Sequence, residues 1–322
     1  MKPSLDEPDI ASILLPPMAA SQAGQPGAPV RRTLRQAASV EGLGLFTGVR
    51  SRVTIEPAPA GTGIVFRRVD LASGTGAEAP SVLAVIGNVV SEQRRTVLQA
   101  DSNGGKGCRV ETVEHILSAL SGLGVTDAVI SVEGPEIPIG DGSALPFVQA
   151  LAGGGIETIG TGGIDPIRIT HPLTVSEKGA QIEVFPAQPG VTGCEYIYRL
   201  DYGPGSPIPA QEASFFAPSG GDAAAYIDRV APARTFSTLA EAQALRQMGL
   251  FTQFTPRDLL VIGPDGPVDN SLRFSNEPAM HKLLDMVGDL SLAARPITGR
   301  VVATRSGHAL NHEMARALAA LA

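Results

Sequence analysis

The 322-residue chain has no tryptophan, only four tyrosines, two cysteines and five histidines. Cysteines at 108 and 194 offer neither the spacing of a thiolate metal site nor the density of a disulfide framework, and they fit a reducing cytoplasm. Basic residues are in deficit: a net charge of -7 excludes the cationic face that nucleic-acid binders turn toward phosphate, so no nucleic-acid partner is expected. A run of eighteen or more apolar residues is missing as well, which excludes an ordinary membrane-spanning helix. Ile13 to Ala20 is mildly apolar, but Asp6, Glu7 and Asp9 precede it where a secretory signal would be positive. We read residues 1–29 as a flexible Pro/Ala/Gln-rich tail, with a short packing or membrane-surface segment as the alternative.

What is present begins with length enough for one large domain or two ordinary ones, built without disulfides. The 37 glycines and 26 prolines predict many turns between short elements. From Arg31 onward, alternating segments such as Arg52 to Glu56 and Gly63 to Arg67 read as half-buried strands. Thr112 to Leu120 reads as a helix with Thr112 as N-cap, Ala128 to Glu133 as a strand, and Leu145 to Leu151 as a second helix. Glycines between 153 and 163 mark a linker at 158–164 between a first domain at 30–157 and a second at 165–322. The second half repeats the mixture: strands around Ile167 to Val175 and Gln181 to Phe185, a helix near Leu239 to Gly249, a longer one around His281 to Ala294, a strand at Thr298 to Thr304, and a last helix from about His312.

With so few histidines, each one near a carboxylate can be weighed singly. Glu114 and His115 stand together at a predicted helix start, where such a pair is more often a capping feature than a site. His281, Asp285 and Asp289 are spaced by four, so they share one helical face. That face is either a solvated stripe or a grip on a metal ion. Taken together, His115, His281 and Asp285 would supply the three protein ligands of a hydrolytic zinc site, leaving Glu114 as a general base toward water that the metal acidifies. His308 sits in a loop between a strand and a helix, and Asp289 would orient it and favour its charged form, suited to an oxyanion or a leaving amine. His171 and His312 have no comparable partner in the sequence.

Five segments, Thr112 to His115, Pro135 to Ala144, Arg234 to Phe236, His281 to Leu290 and Ser306 to Asn311, occur in the order and spacing of the UDP-3-O-acyl-N-acetylglucosamine deacetylases, which the chain resembles over roughly residues 31 to 312. The resemblance implies an α+β fold of two domains of like topology, each a β-sheet packed on two helices. The helix layers face each other with the metal site between them, and a substrate or acyl-chain insert lies near 239–275. It implies zinc-dependent removal of the N-acetyl group from an acylated UDP-glucosamine during lipid A biosynthesis, by a cytoplasmic monomer with at most transient inner-membrane contact. Iron(II) is the alternative metal, because this ligand set separates the two poorly. By resemblance His115, His281 and Asp285 hold the metal, Glu114 is the base, and His308 is the cation steadied by Asp289. Thr235 contacts the carbonyl under attack, Phe236 lies beneath the sugar, Lys282 meets a substrate phosphate, and the Asp141 loop braces the ligands. Leu250, Phe251 and Phe254 are candidates for lining an acyl groove or for packing the insert.

Departures from the family's pattern fall on substrate-contacting positions. Phe46 stands where the family has His, and Thr170 where it often has Lys. Ser237-Thr238 replaces Gly-Phe, Gln253-Phe254-Thr255 replaces Gly-Gly-Ser, and Pro278 and Met280 replace Phe and Arg. Such changes point to altered nucleotide grip or acyl preference. The alternatives are therefore a paralogous deacetylase acting on another acylated amino sugar and a non-catalytic metal-binding relative.

Overall fold

A computed structural model describes residues 29–72, 78–101, 107–218 and 223–321. The tail expected at 1–29 therefore lies, apart from Pro29, outside the described residues. The architecture is α+β, with five α-helices among the described residues: α1 Glu114–Gly122, α2 Leu145–Gly154, α3 Leu239–Gln247, α4 Glu277–Ser291 and α5 His308–Ala319. Among the described residues no helix is long and apolar enough to cross a membrane.

Among the described residues, a five-stranded sheet and the five-strand path of a six-stranded sheet share one strand order. In the first, the hairpin Ala38–Leu43 with Arg50–Pro57 and the hairpin Ile64–Arg68 with Ser81–Leu83 flank a later strand, Ala128–Glu133. That strand runs antiparallel to Arg50–Pro57 and parallel to Ile64–Arg68. In the second, the hairpins Leu173–Glu177 with Ala180–Phe185 and Gly193–Leu200 with Gln211–Pro218 flank Ile297–Thr304 in the same senses. Strand chemistry follows the pleat: Ser51, Val53 and Ile55 point into the core while Arg50 and Arg52 point out. Ile297–Thr304, paired on both edges, is buried along almost its whole length.

The helices cover these sheets and meet each other. Helix α2 packs on Ala38–Leu43, α4 on Gly193–Leu200 and Gln211–Pro218, and α5 on Leu173–Glu177 and Ala180–Phe185. Helix α1 lies against both α2 and α4. The crossing of α1 and α4 is so close that a methyl group at Gly288 would collide with the Glu114 carbonyl oxygen, so glycine is what lets the two backbones approach. Both helices are buried on nearly every side, enclosed by protein. Polar residues on them consequently face the interior.

Several local expectations change. Thr112 does not cap α1: it adopts a left-handed backbone (φ 58°), and its hydroxyl donates to Glu136 Oε1 at 2.7 Å. The glycine-rich stretch expected to link the halves is itself hydrogen-bonded, as the strand Ile156–Gly163 antiparallel to Val30–Leu34. The strand expected over 167–175 divides into Ile167–Arg168 and Leu173–Glu177, which pair with different neighbours. Helix α4 begins at Glu277, with Pro278 in its first turn, where a missing N–H is no loss. Helix α5 starts at His308 rather than near His312, so His308 is a first-turn helical residue and not a loop residue.

Candidate functional site

Where α1 crosses α4, one ring nitrogen each of His115 and His281 and one carboxylate oxygen of Asp285 come within 4.8 Å of one another. All three residues are buried, with exposures of 4%, 1% and 3%, which rules out the solvated-stripe reading of the α4 face. Their orientation is set from behind. The π-helical turn Tyr226–Val230 packs its tyrosine on α1, with the hydroxyl donating to Ser118 Oγ at 2.8 Å, and leads into Ala233. The Ala233 carbonyl accepts from His281 Nδ1 at 3.0 Å, and this turns Nε2 toward Asp285. Asp285 Oδ1 then lies 3.4 Å from His281 Nε2 and 3.5 Å from His115 Nε2, while Oδ2 accepts from Lys282 Nζ at 2.8 Å.

Asp285 Oδ1 and His115 Nδ1 are buried without a hydrogen-bond partner among the described residues. A buried carboxylate oxygen left unmatched is costly, and two imidazoles beside it make a donor set of two nitrogens and one oxygen. That set fits a divalent ion such as zinc or iron(II). Protonation states agree with such a role. Burial pushes His281 down to about 3, which leaves a neutral ring. Burial works to raise Asp285, but His281 and Lys282 outweigh it and hold the carboxyl well below the usual range.

Proton-handling groups surround the triad. Glu114, 3% exposed, is pushed above the usual carboxylate range by burial, against the pull of His308 and His115. Burial lowers His308, yet the Asp289 carboxylate at 2.8 Å from Nδ1, with Glu114 and Asp285, outweighs it and pushes the imidazole up to about 9. Asp289 itself is held below the usual range: burial would raise it, and His308 and His312 overcome that. The site thus combines a carboxylate that can take a proton and an imidazolium that can face developing negative charge.

In front of these groups opens a cavity of about 1180 Å³, lined by Phe46, Thr235, Phe236, Phe251, Lys282 and His308 among others. Thr235 is fixed by its N–H, which donates to the Gly142 carbonyl at 2.6 Å, so the Asp141 loop braces Thr235 rather than the triad. Asp141 is engaged by Arg273 at 2.8 Å and by Ser143. Arg234 next door is buried and gripped by Glu277 through Nε at 2.7 Å and Nη2 at 3.0 Å. The Phe236 ring stands edge-on to His281 at 6.2 Å, with Lys282 Nζ 5.8 Å from its centroid. Phe46 meets Phe251 edge-on at 5.2 Å beneath the Arg95 guanidinium at 4.2 Å, and Gln253 Nε2 donates to the Leu45 carbonyl at 3.2 Å. Two departures from the family's pattern therefore touch each other's loops at the cavity. Phe251 and Phe254 line the cavity and Leu250 does not. Thr170 is exposed beside His171 and away from the cavity lining.

Three positions that contact the site or its loops escape the sequence reading. His312 is not without a partner: Nε2 is 2.8 Å from Thr96 Oγ1 and 3.5 Å from Asp289 Oδ1. Its spacing of four from His308 on one helix was the available signal. Thr96 carries no such signal, because its contacts come from residues 17 to 216 positions away. Glu136, fully buried, accepts from the Phe46 and Thr47 N–H groups and from the Thr112 hydroxyl, which holds the Phe46 loop beside the start of α1.

Comparison with known proteins gives a consistent result. Residues 31–320 match the model of the UDP-3-O-acyl N-acetylglycosamine deacetylase family. A UDP-3-O-acyl-N-acetylglucosamine deacetylase of Geobacter sp. (strain M21) is 36% identical over 286 residues, covering 88% of this chain and 87% of the relative. One of Nostoc sp. (strain PCC 7120) is 36% identical over 295 residues, covering 90% and 99%. One of Myxococcus xanthus (strain DK1622) is 34% identical over 298 residues, covering 91% and 87%.

Proposed function

This chain belongs to the UDP-3-O-acyl N-acetylglycosamine deacetylase family, whose members hydrolyse an amide, and from that premise we propose that it removes the N-acetyl group of UDP-3-O-(3-hydroxyacyl)-N-acetylglucosamine in lipid A synthesis. The observation that carries the reading is the unmatched Asp285 Oδ1 facing His115 and His281, beside the buried Glu114, with Lys282 and His308 lying between Asp285 and a cavity large enough for a sugar and an acyl chain.

In this reading His115, His281 and Asp285 hold zinc, with iron(II) as the alternative. The ion supplies Lewis acidity toward the acetamide carbonyl and lowers the pKa of water near it. Glu114 takes a proton from the water as its oxygen bonds to the carbonyl carbon. His308, kept cationic by Asp289, faces the oxygen that gains negative charge, with the Thr235 hydroxyl as a second donor. The C–N bond then breaks, the proton taken by Glu114 passes to the departing nitrogen, and acetate and a free glucosamine amine result. Phe236 supports the sugar, and Phe251 and Phe254 meet the acyl chain. Lys282 approaches a substrate phosphate from the same rim, and its bond to Asp285 couples the nucleotide end of the substrate to the metal end. The reading takes residues 30–157 and 165–322 as two domains joined through 158–164, with the insert near 239–275, acting as a cytoplasmic monomer that touches the inner membrane only in passing.

The test is release of free amine from UDP-3-O-(3-hydroxyacyl)-N-acetylglucosamine by purified protein, stripped of metal and then restored with zinc or iron(II). Turnover that vanishes on stripping and returns with metal supports the reading. A protein that binds one metal ion yet leaves this substrate intact refutes it and points to another acylated amino sugar, the outcome that Phe46 and the Gln253-Phe254-Thr255 loop at the cavity would explain.

A further inference from the structure

We propose that Thr96 is a positioning residue that ties the proton-transfer groups of the two halves together, and that His312 fixes the direction of its hydroxyl. The proposal rests on the reading of Glu114, Asp289 and His308 given above.

Thr96 is fully buried, between α1 and α4. Its N–H donates to Glu114 Oε2 at 3.0 Å, and its carbonyl accepts from Val113 N–H at 3.2 Å. Its hydroxyl oxygen lies 2.5 Å from Asp289 Oδ1 and 2.8 Å from His312 Nε2. One residue therefore bonds the proposed base on α1 through its backbone and the partner of the proposed imidazolium on α4 through its side chain.

The direction of each bond follows from counting protons. A hydroxyl has one to give, and an ionised carboxylate only accepts. The Thr96 proton thus goes to Asp289, and the hydroxyl lone pair must receive a proton from His312, so His312 carries hydrogen on Nε2. The His308 Nδ1 proton is claimed by Asp289 Oδ2 at 2.8 Å, closer than the 3.4 Å to Thr96 Oγ1. Asn311 Nδ2 also donates to Oδ2 at 2.8 Å, and its amide is oriented by Ser306 Oγ donating to Asn311 Oδ1 at 3.0 Å. Asp289 accordingly accepts from three donors on two elements outside its own helix, and its carboxylate plane cannot rotate without breaking one. That fixes the ring of His308. Partners that orient catalytic side chains in this way typically cost about 10- to 100-fold when removed.

Thr96→Val keeps the shape and both main-chain bonds and deletes only the hydroxyl; Thr96→Ser restores it. In the metal-loaded enzyme, Thr96→Val is expected to lower kcat about 10- to 100-fold with KM within about threefold of the unaltered protein, and Thr96→Ser to recover most of the loss. A merely structural role would move neither ratio in this pattern. The companion measurement needs no substrate: nitrogen-15 spectra of the five imidazoles, with His312→Asn to assign the signals, should show His312 protonated at Nε2. A Thr96→Val enzyme with unaltered kcat, or a His312 whose Nε2 is bare, overturns the proposal. Should Thr96→Val fail to fold, Thr96→Ser activity and the His312 tautomer decide it. Should the unaltered protein release no amine, the functional reading falls while the tautomer still tests the bridge.

Discussion

In the first sheet Ala128–Glu133 lies between two hairpins, in the second Ile297–Thr304 does the same, and the strand senses match. The chemistry on the two halves does not match. The nine-residue α1 supplies Glu114 and His115 from its first turn, whereas the fifteen-residue α4 supplies His281, Lys282, Asp285 and Asp289 along its length and α5 adds His308 and His312. Each half also has a fully buried glutamate holding a cavity loop. Glu136 grips backbone N–H groups of the Phe46 loop, and Glu277 grips the Arg234 side chain before Thr235. A repeated fold has thus been given unequal work, and the site exists only where α1 crosses α4.

The comparison breaks most completely at the ligands. His281→Ala and His115→Ala, one in each half, should each weaken metal binding by more than about 100-fold and abolish turnover, since outer partners of ligands alone cost about 10- to 100-fold. Metal content by plasma emission checks this, and retention of a full equivalent by either variant would take that residue out of the ligand set.

The two glutamates come next. Glu277→Ala strands the buried Arg234 and should cost about 3–5 kcal/mol of stability. Glu136→Ala leaves neutral donors unmet and should cost about 1–3 kcal/mol. Denaturant titration orders the two, and equal losses would mean that the Arg234 pair carries no special weight.

Asp289→Asn sharpens the acid side. His308 is raised to about 9 chiefly because Asp289 offsets burial, so the cationic form that the proposed reaction uses persists below that pH and is lost as pH rises through it. Removing the carboxylate's charge lets burial lower His308, so the alkaline limb of kcat/KM should move to lower pH, with kcat down about 10- to 100-fold. A limb that stays in place would free His308 from that role.

The smallest effect tests the crossing itself. Gly288→Ala puts a methyl group against the Glu114 carbonyl and should cost about 1–3 kcal/mol, whereas Gly153→Ala, with open space around it, should cost much less. Thermal denaturation of the two variants distinguishes them.

How much of this was legible in the sequence depends on distance along the chain. His281, Asp285 and Asp289 could be placed on one face because the helix repeat is local, but whether that face met water or protein was settled only by the packing of α1. Nothing in the residues around Glu114 predicts that contact; the family resemblance supplied it. The Thr112 cap failed because its hydroxyl goes to Glu136, 24 residues away, and its backbone is left-handed. The sequence reading puts His308 in a loop because it starts the last helix near His312, whereas Gly307 is the last extended residue and α5 begins at His308. His312 could have been found from its spacing to His308, and Thr96 could not.

The most direct test of a site divided between the halves is metal content measured together with amine release for Glu114→Ala. The account predicts a full equivalent of metal, as in the unaltered protein, and turnover lower by about 10²- to 10⁴-fold, the usual contribution of a general base. Undiminished turnover would contradict it, because the first half would then contribute a ligand and no base.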